Sequence, residues 1–255
     1  ETKIPGGNGS HSTGKLCVVG IGPGAQDEMS ERALHALKSA EIIVGYKLYT
    51  DLIANIVKNK KIVASAMRKE IDRVKLAIQE ALKGKKVCLI SSGDPGVYGM
   101  AGLVLETLYE DNVNVPVEII SGIPSANAAA SVLGAPLMHD YAVISLSDLL
   151  TPWDAIERRV KCAAEADFVM VLYNPKSSQR DWQVEKTAEI ILRYKPPETP
   201  VGIVRNVTRE GESVVITTLE KMTSHLIDMT TIIIIGNSTS FKYLNYMITR
   251  RGYYS

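Results

Sequence analysis

One short segment of the sequence combines an acid, a proline and three glycines directly after an apolar run. Residues 91–99 read SSGDPGVYG and follow KKVCLI. Asp94 before Pro95 is typical of a helix start, because the carboxylate can accept free N–H groups and proline suits the first helical position. The three glycines need another reason, since glycine is costly there unless something approaches the backbone closely. We expect a ligand, and the absence of lysine and arginine favours a cationic or zwitterionic one.

A second glycine-bearing loop, GIGPGAQDEMS at residues 20–30, follows the first apolar run. Its small residues fit a permissive dinucleotide fingerprint, so a nicotinamide or flavin oxidoreductase is one interpretation. Two features weigh against it: Pro23 removes an N–H donor, and the second strand ends in Val44-Gly45-Tyr46 without an acid to hold a ribose. A tight strand-to-helix turn is the other interpretation, and the loop alone leaves both open.

Two asparagines follow apolar runs in the second half of the chain, in LYNP at residues 172–175 and VRNVT at residues 204–208. Asparagine before proline is often only a turn residue. If both segments end strands that face the first-half loops, they would form the far wall of a cleft. Clefts between domains are preferred ligand sites.

The elements that position these loops alternate along the chain. In the first half, the predicted strands are residues 16–21, 41–45, 61–64, 86–91 and 117–120. The stretches ERALHALKSA, KLYTDLIANI, EIDRVKLAIQEALKG and AGLVLETLYED between them carry apolar residues three and four apart, as helices with one buried face do. The pattern predicts a parallel sheet covered by helices on both faces.

A second series follows the segment SGIPSANAAASVLGAP. Its predicted strands are residues 141–147, 167–173, 200–207, 212–219 and 230–236, and its predicted helices are WDAIERRVKCAAEA and QVEKTAEIILRY. Only TREG separates the third and fourth strands, which predicts a hairpin and a mixed sheet. We expect two α/β domains, residues 14–121 and 122–255, after a disordered tail or cloning remnant at residues 1–13.

Composition excludes several classes of protein. The 255 residues are 45% hydrophobic with a formal net charge of +1, which is typical of a soluble globular chain and gives no electrostatic indication of nucleic-acid binding. The longest aliphatic run, Ile232–Ile235, is far shorter than the roughly 20 residues of a membrane helix. Cys17, Cys88 and Cys162 form no zinc motif, and their odd number indicates reduced thiols in the cytoplasm.

Five ordered motifs together resemble the tetrapyrrole methylase family: GIGPG, SSGDPGVYG, SGIPSANAAA, LYNP and VRNVTREGE. The resemblance extends over residues 15–255. Three further segments, at residues 45–53, 139–153 and 166–180, are similar to the branch that methylates ring position 17 of precorrin-3B or cobalt-factor III. This resemblance implies a transferase of cobalamin biosynthesis that uses S-adenosyl-L-methionine and releases S-adenosyl-L-homocysteine. It also implies an active cleft between the two domains, a cytoplasmic homodimer, and no metal held by protein ligands.

The resemblance further assigns candidate cofactor residues, which are Pro23, Ser92, Gly93, Asp94, Ser125, Ala126, Asn174, Val207 and Thr231. Most of these contacts would come from backbone groups. The chain departs from the commoner family pattern at two places: Pro124 replaces a hydroxyl residue before Ser125, and Asn174 stands where methionine is frequent.

Methylation in this branch accompanies ring contraction, which needs acid or base assistance. The candidates, chosen by polarity and position, are His139, Asp140, Ser147 and Asp148. The substrate carries many carboxylates, with or without cobalt in the ring, so cations and hydroxyls should bind it. The candidates for this role are Tyr46, Lys47, Tyr49, Lys176, Arg180 and Arg205, with Arg68 and Arg209 as further cations. Methylation of another tetrapyrrole position, of a protein or of ribosomal RNA is an alternative, as is a non-catalytic tetrapyrrole carrier.

Overall fold

The computed structural model describes residues 14–66, 69–177 and 180–253. The chain divides into two compact units, the first ending at Ile123 and the second beginning at Pro124. The N-terminal tail expected at residues 1–13 and the candidate cation Arg68 lie outside the described residues.

The first unit contains one five-stranded sheet. Its strands are β1 (Lys15–Gly20), β2 (Ile42–Tyr46), β3 (Lys61–Ser65), β4 (Lys86–Ser91) and β5 (Val117–Ile120). Its helices are α1 (Glu31–Ser39), α2 (Lys47–Leu52), α3 (Glu70–Leu82) and α4 (Ala101–Glu110), with a short 3-10 helix at Gln26–Glu28. The strand order is β3-β2-β4-β1-β5 and every pairing is parallel, as predicted.

Helices cover both faces of this sheet, which explains why its strands are almost continuously apolar. Leu16 and Val18 of β1 pack in one core cluster with residues of α3 and α4. Val19 of β1 and Ile90 of β4 pack in a second cluster with residues of α1. Full burial of such a side chain contributes about 1.5–3 kcal/mol.

The second unit contains a five-stranded mixed sheet and a small three-stranded sheet. Its helices are α5 (Ser125–Leu133), α6 (Trp153–Glu165) and α7 (Gln183–Ile191). Its strands are β6 (Gly134–Ala135), β7 (Tyr141–Ser145), β8 (Val169–Tyr173), β9 (Pro200–Arg205), β10 (Ser213–Thr218), β11 (Thr231–Ile235), β12 (Ser240–Tyr243) and β13 (Tyr246–Thr249). A 3-10 helix occupies Leu219–Ser224.

The order in the larger sheet is β10-β9-β11-β8-β7, and in the smaller sheet it is β12-β13-β6. β7 and β8 are parallel, whereas β11 is antiparallel to both β8 and β9. The predicted hairpin is confirmed, because β9 and β10 pair antiparallel. The carboxyl ends of β7, β8 and β9 therefore share one edge with the amino ends of β10 and β11.

Local predictions agree with the structure in part. Helix α4 begins at Ala101, as its amphipathic stretch predicts, but no helix starts at Asp94-Pro95, because turns occupy the intervening residues. Helix α2 ends at Leu52, before the predicted end of its amphipathic stretch. Helix α5 and the β12–β13 hairpin were not predicted at all. Among the described residues, no helix combines the length and apolar character required to span a bilayer.

Candidate active site

Three loops meet at the carboxyl edge of the first sheet, and we name residues 21–25, 92–100 and 121–123 the first loop cluster. The loops after β1 and β4 are joined by paired backbone hydrogen bonds. The N–H of Gly93 donates to the Gly22 carbonyl at 2.7 Å, and the N–H of Gly22 donates to the Gly93 carbonyl at 3.2 Å. The candidate cofactor residues Pro23, Ser92, Gly93 and Asp94 all lie in this cluster.

The Asp94 carboxylate joins the loop after β4 to the loop after β5. Its Oδ2 accepts the N–H of Gly122 at 3.0 Å, and its Oδ1 accepts the N–H of Gly96 at 2.8 Å. Hydrogen bonds to a charged acceptor are stronger than neutral ones. Asp94 therefore stabilises the loop cluster, and the interpretation of Asp94-Pro95 as a helix start is wrong.

The glycines of SSGDPGVYG have different roles. A Cβ atom at Gly99 would lie 2.6 Å from Ser91 Oγ and 2.7 Å from the Pro95 carbonyl oxygen, so the chain itself makes the close approach. Gly93 has φ 63°, in the left-handed region that favours glycine. At Gly96 the nearest neighbour of an added Cβ is an aspartate oxygen at 3.2 Å. The expectation that a ligand accounts for all three glycines is wrong for Gly99.

Backbone packing also explains the glycines of the other two loops. A Cβ atom at Gly20 would lie 2.6 Å from the Gly93 carbonyl oxygen and 2.7 Å from the Gly122 nitrogen. A Cβ atom at Gly122 would lie 2.2 Å from the same carbonyl oxygen. Gly20 of GIGPG therefore serves loop packing, which favours the tight-turn interpretation of that loop over the dinucleotide fingerprint.

Three candidate substrate residues follow β2 at the same edge of the sheet. The rings of Tyr46 and Tyr49 contact edge to face, with centroids 5.2 Å apart, and Lys47 forms an exposed ion pair with Asp51 at 2.9 Å. Arg73 was not among the predicted site residues; it is 4% exposed and places its guanidinium 6.0 Å from the Tyr46 ring centroid. Its position in the first turn of α3 resembled an ordinary solvent-facing cation.

A second group of loops lies at the edge of the larger sheet of the second unit. We name residues 125–126, 145–148, 174–176, 205–212 and 228–231 the second loop cluster. It contains the remaining candidate cofactor residues, which are Ser125, Ala126, Asn174, Val207 and Thr231. The N–H of Ala126 donates to the Tyr173 hydroxyl at 2.9 Å, which joins the start of α5 to the end of β8.

Three non-glycine residues of the second loop cluster adopt left-handed backbone angles: Asn174 with φ 51°, Asn206 with φ 50° and Thr208 with φ 59°. Such angles are costly outside glycine and occur disproportionately at ligand sites. Val207 is 5% exposed and Thr231 is 1% exposed, so their side chains face the protein interior. Contacts from these two residues to a ligand would come from their backbone groups.

The four candidates for ring contraction do not come together. His139 and Asp140 precede β7, and the His139 Nδ1 accepts the N–H of Asp140 at 3.1 Å. Ser147 and Asp148 follow β7 at the opposite end of the strand. Only Ser147 and Asp148 therefore share the edge that carries Asn174.

Arg180 is buried and forms hydrogen bonds with the chain. One of its terminal nitrogens, Nη1, donates to the carbonyls of Leu146 at 2.9 Å and Asn174 at 2.7 Å. Its Nε lies 3.8 Å from Asp148, whose other oxygen accepts the Gln183 amide at 2.9 Å. Burial lowers the pKa of the guanidinium, and the Asp148 carboxylate opposes that shift. These contacts place Arg180 where it holds the segments that follow β7 and β8, and its assignment as a substrate ligand stays a prediction.

Two other candidate cations also have acidic partners. Lys176 lies 3.8 Å from Glu185, and Arg205 lies 3.5 Å from Asp228. Burial would raise the pKa of the Asp228 carboxyl, but hydrogen bonds from Thr230 and Thr231 and the charge of Arg205 hold it below its usual value. Within the described ranges, no group of histidine, cysteine and acidic side chains is arranged to hold a metal ion.

The sequence matches the Tetrapyrrole (Corrin/Porphyrin) Methylases over residues 15–223. The chain belongs to this family of methyltransferases. It is 48% identical over 244 residues to the cobalt-factor III methyltransferase of Priestia megaterium, covering 94% of this chain but only 45% of that protein. It is also 48% identical to the probable cobalt-factor III C(17)-methyltransferase of Salmonella typhimurium over 238 residues, covering 93% of this chain and 99% of that protein.

Solved structures agree with this assignment. The crystal structure of the methyltransferase CobJ has a TM-score of 0.88 and 34% sequence identity, covering 93% of this chain and all of that chain. A uroporphyrin-III C-methyl transferase from Thermus thermophilus, crystallised with S-adenyl homocysteine, has a TM-score of 0.67 and 23% identity. The match covers 88% of this chain and 97% of that chain. At 23% identity, this likeness supports the fold alone.

Proposed function

We propose that this protein transfers a methyl group from S-adenosyl-L-methionine to ring position 17 of cobalt-factor III, with contraction of the macrocycle. The observation that carries the proposal is the 48% identity to the Salmonella typhimurium protein named probable cobalt-factor III C(17)-methyltransferase. The match extends over 99% of the length of that protein. Both relatives described above are named for the cobalt-containing substrate, which favours cobalt-factor III over precorrin-3B.

We propose that both loop clusters contribute contacts to the cofactor. The residues are Pro23, Ser92, Gly93, Asp94, Ser125, Ala126, Asn174, Val207 and Thr231. The donor and acceptor set suits a sulfonium nucleoside with an amino-acid tail: backbone groups predominate, and residues 92–99 contain no lysine or arginine that a polyphosphate would require. Gly93 and Asn174 both have left-handed backbone angles, which interrupt the strand geometry at the edge of each sheet.

The sulfonium supplies an activated methyl group, so the protein must orient it and exclude water. A strong fixed anion beside the sulfur would oppose the transfer, because the positive charge of the sulfonium is lost in the reaction. Asp94 is not a free anion of this kind, since two backbone N–H groups already bind its carboxylate. Its role in this proposal is to hold the loops in the geometry that binds the cofactor.

We assign substrate binding to cations and hydroxyls at the two loop clusters. These are Tyr46, Lys47, Tyr49, Lys176 and Arg205, which match the carboxylates of a corrin precursor. Arg180 holds the segments that follow β7 and β8 in the second unit. For the proton transfers of ring contraction we retain Ser147 and Asp148, because they lie at the same edge as Asn174, and we set aside His139 and Asp140.

We further propose a homodimer in the cytoplasm that binds neither nucleic acid nor a membrane. The family resemblance is the basis for the homodimer, the net charge of +1 for the absence of nucleic-acid binding, and the free cysteines for a reducing compartment. Light scattering tests the assembly, since a mass of one chain would contradict it.

Calorimetry separates the methyltransferase from a nicotinamide oxidoreductase. We expect S-adenosyl-L-homocysteine to bind with a dissociation constant in the micromolar range and NAD to give no heat above dilution. The reason is that Pro23 and the missing acid after β2 leave NAD without its usual donors and acceptor. Binding of NAD without any response to S-adenosyl-L-homocysteine would reverse the assignment.

A further inference from the structure

A cavity of about 250 Å³ lies in the first unit, between the amino-terminal half of the sheet and α1. Ala36 and Ser39 of α1 and Ala40 directly after it line the cavity, and their small side chains leave it open. Two cysteines, Cys17 and Cys88, lie among its lining residues. None of the candidate cofactor or substrate residues lines it, so the proposed function leaves the cavity unexplained.

The two cysteines occupy matching positions on neighbouring strands. Cys17 of β1 and Cys88 of β4 are Cα partners in the parallel register, and both side chains belong to the core cluster on the α1 face. Neighbouring strands lie about 4.8 Å apart. A disulfide requires Cα atoms roughly 4.4–6.8 Å apart, so the backbone places this pair within reach of a bond.

The two thiols differ in environment. Cys17 is partly exposed at the cavity, whereas Cys88 is buried and its Sγ lies 3.5 Å from the Ala36 carbonyl oxygen. A hydrogen bond from Cys88 and the charge of Lys15 lower the pKa of the Cys17 thiol. The same hydrogen bond and burial raise the pKa of the Cys88 thiol. Cys17 is thus the better thiolate of the two.

Basic side chains outnumber acidic ones around the pair. The charged groups are Lys15 of β1, Lys86 of β4, Glu118 of β5, Arg32 of α1, and Lys60. The Glu118 carboxylate lies 3.9 Å from the Cys17 sulfur, but it is paired with both Lys15 and Arg32. An electropositive, partly exposed surrounding is the kind in which reactive cysteines occur.

We propose that Cys17 and Cys88 form a thiol redox pair, in which Cys17 reacts with a hydroperoxide that enters the cavity and Cys88 then closes an intrachain disulfide. The Cys17 thiolate attacks one peroxide oxygen, the O–O bond breaks, and the leaving oxygen is protonated to water or an alcohol. Cys88 loses its proton and attacks the resulting sulfenic sulfur, and the S–O bond breaks with release of water. The pair loses two electrons to the hydroperoxide. Two molecules of a small thiol such as glutathione then reduce the Cys17–Cys88 disulfide by exchange and leave joined as their own disulfide.

The 255-residue chain, reduced and free of reductant, should be treated with equimolar hydrogen peroxide and mapped by peptide mass spectrometry. We expect the peptides containing Cys17 and Cys88 to become linked, with loss of two of the three thiols. Cys162 is the matched control, because it is exposed but carries no comparable partner. Oxidation of Cys162 while Cys17 and Cys88 stay reduced would overturn the proposal, as would no thiol loss at all.

Alkylation rates test the role of Cys88 separately. At neutral pH we expect Cys17 to react with iodoacetamide about threefold faster than Cys162, although Cys162 is the more exposed. Cys88→Ser keeps a hydrogen-bond donor, so Cys17 should stay fast while the disulfide no longer forms. Cys88→Ala should remove the rate advantage as well. Equal alkylation rates for Cys17 in the Ser and Ala variants would contradict the activation by Cys88. If either variant fails to fold, the peptide mapping of the unmodified chain still tests the proposal.

Discussion

Gly122→Ala should abolish cofactor binding, lowering the affinity for S-adenosyl-L-homocysteine by about a hundredfold or more. The added Cβ atom would lie 2.2 Å from the Gly93 carbonyl oxygen, a distance that forces the loop after β4 to move. That movement breaks the paired hydrogen bonds between Gly22 and Gly93 and the bond from the Gly122 N–H to Asp94. Overpacking of this kind also lowers the free energy of unfolding by about 1–3 kcal/mol.

The matched control for this substitution is Gly102→Ala in α4. No atom lies within 4 Å of the Cβ position at Gly102, so binding should be unchanged and helix propensity should stabilise the protein by about 0.5–1 kcal/mol.

Asp94→Asn adds no volume and removes one of the two carboxylate acceptors, so it should weaken binding roughly tenfold even if Gly122→Ala folds poorly. Calorimetry measures the affinity of each variant for S-adenosyl-L-homocysteine, and urea unfolding measures its free energy of unfolding. Normal binding by folded Gly122→Ala would show that the first loop cluster does not hold the cofactor.

Arg180→Met should lower the free energy of unfolding by about 2–4 kcal/mol. The substitution keeps the apolar length of the side chain but removes the donor shared by the Leu146 and Asn174 carbonyls. It also leaves Asp148 without the nearby guanidinium. Because these carbonyls end β7 and β8, the second loop cluster should loosen and the affinity for S-adenosyl-L-homocysteine should fall as well.

Arg159→Met is the control for the loss of an arginine in the second unit. Arg159 is exposed on α6, so its replacement should change the free energy of unfolding by less than about 0.5 kcal/mol. Urea unfolding followed by circular dichroism measures both variants. If Arg180→Met is as stable as the unmodified chain but binds substrate poorly, Arg180 is a substrate ligand after all.

Much of the fold follows from local patterns in the sequence. The apolar runs of both sheets predict strands because each central strand is buried on two faces. Helix α5 was not predicted. Its buried residues Ala126 and Ala128–Ala130 are small, and only Asn127 and Ser131 are exposed, so its apolar and polar faces give a weak signal. Glycine and proline on both sides made the segment resemble a loop.

The candidate site depends on contacts that spacing does not reveal. Asp94 was predicted to act on the residues next to it, yet one of its oxygens binds Gly122, 28 residues further along the chain. Arg180 binds the carbonyl of Leu146, 34 residues earlier, and a basic residue near a strand end gives no local indication of such burial. The residue types at the site were therefore predictable, whereas the roles of Asp94 and Arg180 required the tertiary structure.

The most direct test of the proposed function is anaerobic incubation of the protein with cobalt-factor III and methyl-labelled S-adenosyl-L-methionine, followed by NMR of the macrocycle. We predict one labelled methyl group at ring position 17 of a contracted ring, together with an equal amount of S-adenosyl-L-homocysteine. A parallel reaction with precorrin-3B should give less product, because the two relatives are named for the cobalt-containing substrate. Recovery of both macrocycles without label, with the methyl donor still intact, would contradict the assignment.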